Sequence, residues 1–293
     1  MNDNTLSEPR LDHVLCLDAL GTHRMAYWEW GRADNPHVVV CAHGLSRQGR
    51  DFDAVARALC NRVRVVSVDV VGRGVSDWLT DPMGYQIPAY VADMFTLLAR
   101  LNATTVDWVG TSMGGLIGMG VASRRGTPIR KLVINDVGPT LDAAGLARIA
   151  DYVGQPVSFD SLDDAAAHVK QISLTFGPHT QAQWLELTRW QMKQDAHGRW
   201  VPKGDPAIAV PFKSVTPELA KAGEMLTWMT YDAITAPTLL LRGADSDLLS
   251  KHTAHDMTQR GPRARLVEFA GVGHAPMLQQ PDQVEAIRRF LLE

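Results

Sequence analysis

Five short runs of nearly uninterrupted apolar residues, set apart by helical patterns and turns, limit how this chain can fold. They are His37–Ala42 (HVVVCA) and residues 63–68, 106–109, 132–134 and 238–241. A strand with one wet face alternates apolar and polar residues. A run with no polar face suits a strand covered on both sides, as in a parallel sheet between two layers of helices. Helical patterns fill 52–59, 89–101 and 113–124, and a last helix is expected over 283–292, started by Pro281-Asp282. Residues 13–20 and 25–30 read as strands around the turn Gly21-Thr22, and Arg265–Phe269 reads as one more. Alternation of this kind predicts an α/β protein with a doubly wound, mostly parallel sheet.

The alternation stops between Thr140 and Asp232. This stretch holds helix formers, four tryptophans (Trp184, Trp190, Trp200, Trp228) and turn signals at Gly177-Pro178 and His197-Gly198. The reading is a core of residues 1–139 plus 234–293, with 140–233 as a mainly helical cap insertion. An insertion beyond a strand's carboxyl end lies where open α/β sheets place their ligand crevice. Its tryptophans and methionines, Met225 and Met229 among them, are expected mostly in the insertion's own core.

Composition sets the remaining bounds. The net charge of −3, from 29 basic and 32 acidic residues, provides no field to steer the chain to nucleic acid or an anionic membrane. Three cysteines (Cys16, Cys41, Cys60) do not make a disulfide framework. The polar N-terminal segment lacks the apolar centre of a signal peptide, and residues up to about Pro9 are expected to be a loose tail. With no run long enough to span a bilayer, a cytoplasmic protein is expected. His252 and His255 stand three apart on an expected helix, a spacing that could serve a metal and is equally well explained by solvation, so no metal site is assigned.

Three short motifs carry chemistry. Gly110-Thr111-Ser112-Met113-Gly114 lies between a strand pattern and a helix pattern, the setting in which a serine is held up on a sharp turn as a nucleophile. His43-Gly44-Leu45-Ser46 follows an apolar strand, where the backbone N–H of Leu45, with that of Met113, is expected to hold a developing oxyanion. His43 is expected to bond the loop backbone rather than react. It is grouped with Ser46, Arg47 and Val272 as a candidate lining of the substrate pocket. Gly271-Val272-Gly273-His274 places a histidine on a loop before the last helix, from which it can serve Ser112 as general base. The acid that orients this imidazole is expected just beyond the strand TLLLRG, at Asp247, with Asp245 as the alternative.

These residues resemble the α/β-hydrolase superfamily, through HGLS at 43–46, DVVGRGVSD at 69–77, GTSMGG at 110–115, LLLRGADSD at 239–247 and GVGHAP at 271–276. The resemblance implies an eight-stranded, mostly parallel sheet, a helical cap between strands six and seven, and neither metal nor organic cofactor. A serine at the nucleophile position sets the chain apart from the aspartate-dependent dehalogenases and epoxide hydrolases of that superfamily. The resulting expectation is a serine hydrolase of a small or medium ester, thioester or lactone with an apolar acyl part, working through an acyl-enzyme. A carbon–carbon bond hydrolase, a ligand receptor and an acyltransferase that keep the same triad stay open, and no motif specifies an oligomeric state.

Overall fold

The structure, a computed structural model, describes residues 8–293. Of the tail expected up to about Pro9, residues 1–7 lie outside the described residues. Among the described residues ten strands occur: β1 (Arg10–Asp18), β2 (Gly21–Trp30), β3 (His37–Ala42), β4 (Arg64–Asp69), β5 (Thr105–Thr111), β6 (Ile129–Asn135), β7 (Met192–Gln194), β8 (Trp200–Pro202), β9 (Thr238–Gly243) and β10 (Arg265–Phe269). The α-helices are α1 (Asp53–Leu59), α2 (Ile87–Leu101), α3 (Met113–Ala122), α4 (Ala143–Tyr152), α5 (Leu162–Ile172), α6 (Gln181–Gln191), α7 (Ala209–Lys213), α8 (Pro217–Asp232), α9 (Lys251–Gln259) and α10 (Pro281–Leu292).

Eight strands make one sheet in the order β1-β2-β4-β3-β5-β6-β9-β10, and β7 and β8 pair separately. Within this sheet β2 runs opposite to the other strands, pairing antiparallel with β1 and β4. The apolar runs form the sheet's interior because each feeds both faces. Val38 and Val40 pack with Met94 and Leu97 of α2 and Ile117 of α3, whereas Val39 and Cys41 pack with Val55 and Leu59 of α1 and Ile287 of α10. Period-two alternation thus divides one apolar strand between two cores.

Two strands extend beyond their apolar runs. β6 begins at Ile129 because Arg130 pairs with Asp107 (2.6 Å) and Lys131 bonds the Phe290 carbonyl (2.6 Å), so polar residues are satisfied inside the sheet. β1 begins at Arg10, whose side chain meets Glu29 on β2 (2.6 Å), and ends at Asp18.

Between β6 and β9 the chain contributes nothing to the main sheet. It forms α4–α8 and the β7–β8 pair. Trp184, Leu187, Val169 and Met192 build a small core there, joined by Met277 from the loop before α10. Met225 and Met229 of α8 are exposed, contrary to the expectation of a core role. Of α8 only Tyr231 is buried, and Leu219 and Leu226 stand exposed beside the two methionines.

Candidate active site

Ser112 sits between β5 and α3 at φ 51° and ψ −117°, a backbone conformation unfavourable for any side chain bearing a Cβ. Packing holds it there. Its N–H donates to the Asn135 carbonyl (2.9 Å), and its own carbonyl accepts from Gly115 (2.8 Å). A Cβ at Gly110 would overlap the Gly114 carbonyl, and one at Gly114 would overlap the Ala42 carbonyl of β3. These glycines therefore let β3, β5 and α3 converge under the serine. Met113 opens α3 directly after Ser112, and the first N–H of a helix has no partner within the helix.

His274 reaches Ser112 from the loop after β10, with Nε2 3.0 Å from Oγ. Two hydrogen bonds at Thr175 help tie this loop to the segment between β6 and β9. The Gly273 N–H donates to the Thr175 carbonyl (2.6 Å), and the Thr175 hydroxyl donates to the His274 carbonyl (2.6 Å). Asn135 Nδ2 holds the Pro276 carbonyl (2.8 Å) from the end of β6.

The acid beside His274 is neither of the expected aspartates. Nδ1 lies 2.8 Å from Oδ2 of Asp136, a fully buried residue directly after β6. Asp136 also accepts from the Gly243 N–H (2.8 Å) and the Ser246 hydroxyl (2.7 Å). Asp247 is turned to Arg148 of α4 in a two-pronged ion pair (2.6 and 2.8 Å), which holds its carboxyl below the usual range. Asp245 is exposed. Gly243 at the end of β9 and Ser246 just beyond it thus donate to Asp136, and neither aspartate of that loop faces His274. The missed signal was the INDVGP stretch: a lone carboxylate ending an apolar strand that pairs with the strand leading into Ser112.

The 43–47 loop is fixed by buried polar groups. His43 donates from Nδ1 to the Gly44 carbonyl (2.7 Å) and accepts from the Val70 N–H at Nε2 (3.0 Å). Arg73 grips the Leu45 carbonyl (2.9 Å) and the Tyr90 hydroxyl (2.8 Å). Arg47, buried, makes paired 2.7 Å bonds to Asp51. Val272, expected at the pocket, is instead packed in the α1–α10 core, because the glycines beside it turn His274 inward and Val272 away.

Burial first, then the charges of Arg73 and Arg47, push the His43 pKa down to about 3, against the raising effect of its bond to Gly44. The unfolded chain takes this proton near 6.5 and the folded one only near 3, so this group withdraws stability as pH falls through that window. Between pH 7 and pH 5 the expected loss is ~2 kcal/mol from His43 alone. Urea denaturation at both pH values should show a shallower pH dependence for His43→Gln. Equal slopes in the two proteins would contradict this.

A cavity of about 50 Å³ sits over Ser112 and His274, lined also by Leu45, Ile149, Tyr152 and Phe176. Its wall mixes core loops with α4 and the turn before α6. Away from it, Cys16, His23 and Asp93 bring ligand-type atoms within 4.8 Å of one another. His23 there is already engaged on both nitrogens, by Asp18 (3.2 Å) and Asp93 (3.0 Å). No helix among the described residues is long and apolar enough to cross a membrane.

Residues 39–287 match the model of the alpha/beta hydrolase family. The 3-hydroxybutyrate-oligomer hydrolase of Cupriavidus necator is 50% identical over 97% of this chain and 98% of its own. Esterase YbfF of Escherichia coli is 27% identical over 88% of this chain and 96% of its own. Among solved structures, an alpha/beta hydrolase from Novosphingobium aromaticivorans superposes with a TM-score of 0.84 at 35% identity, covering 97% of this chain and 98% of that one. The chain belongs to the alpha/beta hydrolase family, and it is a hydrolase.

Proposed function

We propose that Ser112, His274 and Asp136 form a Ser-His-Asp triad that hydrolyses short hydroxyacid oligoesters through an acyl-enzyme. The observation that carries this reading is the continuous hydrogen-bonded chain from Asp136 through His274 to Ser112, at 2.8 and 3.0 Å. His274 takes the serine proton as Oγ attacks the ester carbonyl, and Asp136 steadies the imidazolium that forms. The N–H groups of Leu45 and Met113 receive the oxyanion. The leaving alcohol departs with the proton from His274, and water, activated by the same histidine, attacks the acyl-enzyme to free Ser112 and the acid.

The 140–233 segment serves as a cap over this centre, a role supported by the contribution of Ile149, Tyr152 and Phe176 to the cavity wall. The small cavity supports a short acyl group. A 3-hydroxybutyryl unit fits that requirement and agrees with the name of the relative from Cupriavidus necator.

Incubation with a linear 3-hydroxybutyrate trimer should release monomer acid, followed by chromatography. In a p-nitrophenyl ester series, butyrate should exceed palmitate about a hundredfold in kcat/KM, because a long chain has to displace packed cap residues. Equal turnover of palmitate, or a trimer left intact, would count against the reading.

A further inference from the structure

A second cavity, of about 870 Å³, adjoins the one over Ser112 and shares Ser46, Arg47 and Tyr152 with it. Its wall carries five cations, Arg47, Arg73, Arg148, Lys193 and Lys203, against two carboxylates, Asp151 and Asp205. Most of these charges are already engaged. Arg47 holds Asp51, Arg148 holds Asp247, and Arg73 is bound to carbonyls and a hydroxyl. Asp205 accepts from the Tyr85 hydroxyl (2.6 Å) and the Ala207 N–H (2.9 Å), and Asp151 is exposed at the rim.

Lys203 and Lys193 are different. Among the described residues neither has a carboxylate oxygen within 4.0 Å. Each stands over an indole instead, Lys203 Nζ 5.6 Å from the Trp190 ring centre and Lys193 Nζ 5.4 Å from that of Trp78. Lys203 is half-buried. Burial draws its pKa down, the like charges of Arg50 and Lys193 do the same, and Asp69 pulls the other way. A half-buried ammonium among like charges gains strongly from an incoming anion.

In a hydroxyacid oligoester, the chain beyond the scissile oxygen ends in a free carboxylate. With the acyl unit in the small cavity, that end has to run into the adjoining one. We propose that the 870 Å³ cavity is the subsite for this carboxylate-terminated leaving chain, with Lys203 pairing to the carboxylate and Lys193 drawing it in from the rim. The proposal rests on the oligoester reading above. Val153, Val157, Ile172 and Val201 provide apolar wall for the methyl-bearing repeats. An enzyme built this way recognises chain ends. It removes the hydroxyl-terminal unit of an oligomer whose carboxyl end lies within reach of Lys203, and leaves the middle of a long polyester alone.

The experiment compares the 3-hydroxybutyrate trimer acid with its methyl ester, using p-nitrophenyl butyrate as a control. The wild type should favour the acid about tenfold or more in kcat/KM, chiefly through KM. Added salt should shrink that preference. Lys203→Gln should bring the acid-to-ester ratio close to one, and Lys203→Arg should restore it. Lys193→Gln should move it part of the way. A wild-type ratio at or below one, or a ratio untouched in Lys203→Gln, overturns the proposal while leaving the oligoester reading standing. Turnover of p-nitrophenyl butyrate with neither trimer cleaved overturns the oligoester reading, and the subsite falls with it.

Discussion

Asp136→Asn is expected to lower kcat on p-nitrophenyl butyrate about 10⁴-fold, while Asp247→Asn lowers it less than about fivefold. Asparagine keeps the shape of Asp136: with its oxygen at the Oδ1 position it can still accept from the Gly243 N–H, and the amide nitrogen at the Oδ2 position can donate to the Ser246 hydroxyl oxygen. Its amide would donate to Nδ1 of His274, forcing the tautomer in which Nε2 carries a hydrogen and cannot take the serine proton. The loss should therefore fall in kcat with the fold intact, checked by circular dichroism on both variants. Asp247→Asn removes one partner of a partly exposed ion pair to Arg148 and leaves the His274–Asp136 bond in place. A deeper loss in Asp247→Asn than in Asp136→Asn would return the acid's role to the loop after β9.

Ser112→Ala should remove turnover by about 10⁴-fold or more on every substrate the wild type cleaves. A fluorophosphonate probe should form one adduct, located by mass spectrometry on Ser112, in the native wild type and in neither the variant nor heat-denatured protein. Selectivity for that serine would follow from the 3.0 Å contact with His274, since an isolated hydroxyl is a poor nucleophile. Wild-type rates in Ser112→Ala, or an adduct at another residue, would rule out the acyl-enzyme at Ser112.

How much of this was legible depended on whether a constraint is local in sequence. The Gly110 and Gly114 positions could be read because their neighbours lie within a few residues or on an adjoining strand, where any Cβ collides. The wholly apolar runs gave the parallel sheet because burial on two faces leaves no polar alternation. His274 was readable from the Gly271 and Gly273 ahead of it and from its place between a strand and the last helix. The acid was not. Asp136 and Asp247 both follow strand ends, and only the order β5-β6-β9-β10 brings the first beside the imidazole. Arg148, which engages Asp247, comes from α4, 99 residues away, in a stretch without a readable motif. Val272 was misplaced for a related reason. Neighbours on one loop share a sequence but point in opposite directions, and proximity to a functional histidine says nothing about which way a side chain faces.

The two Thr175 hydrogen bonds to Gly273 and His274 bear on how such an enzyme can diversify. The stretch that would tune substrate choice also braces the loop that carries His274. Its evolution is therefore not free. A grafted or recombined 140–233 segment that lacks a hydroxyl and an open carbonyl at this spot would loosen the imidazole and slow chemistry even if its new pocket were ideal. Lineages that swap specificity by exchanging this segment should carry a compensating strut elsewhere, or show broad but sluggish activity until one is acquired.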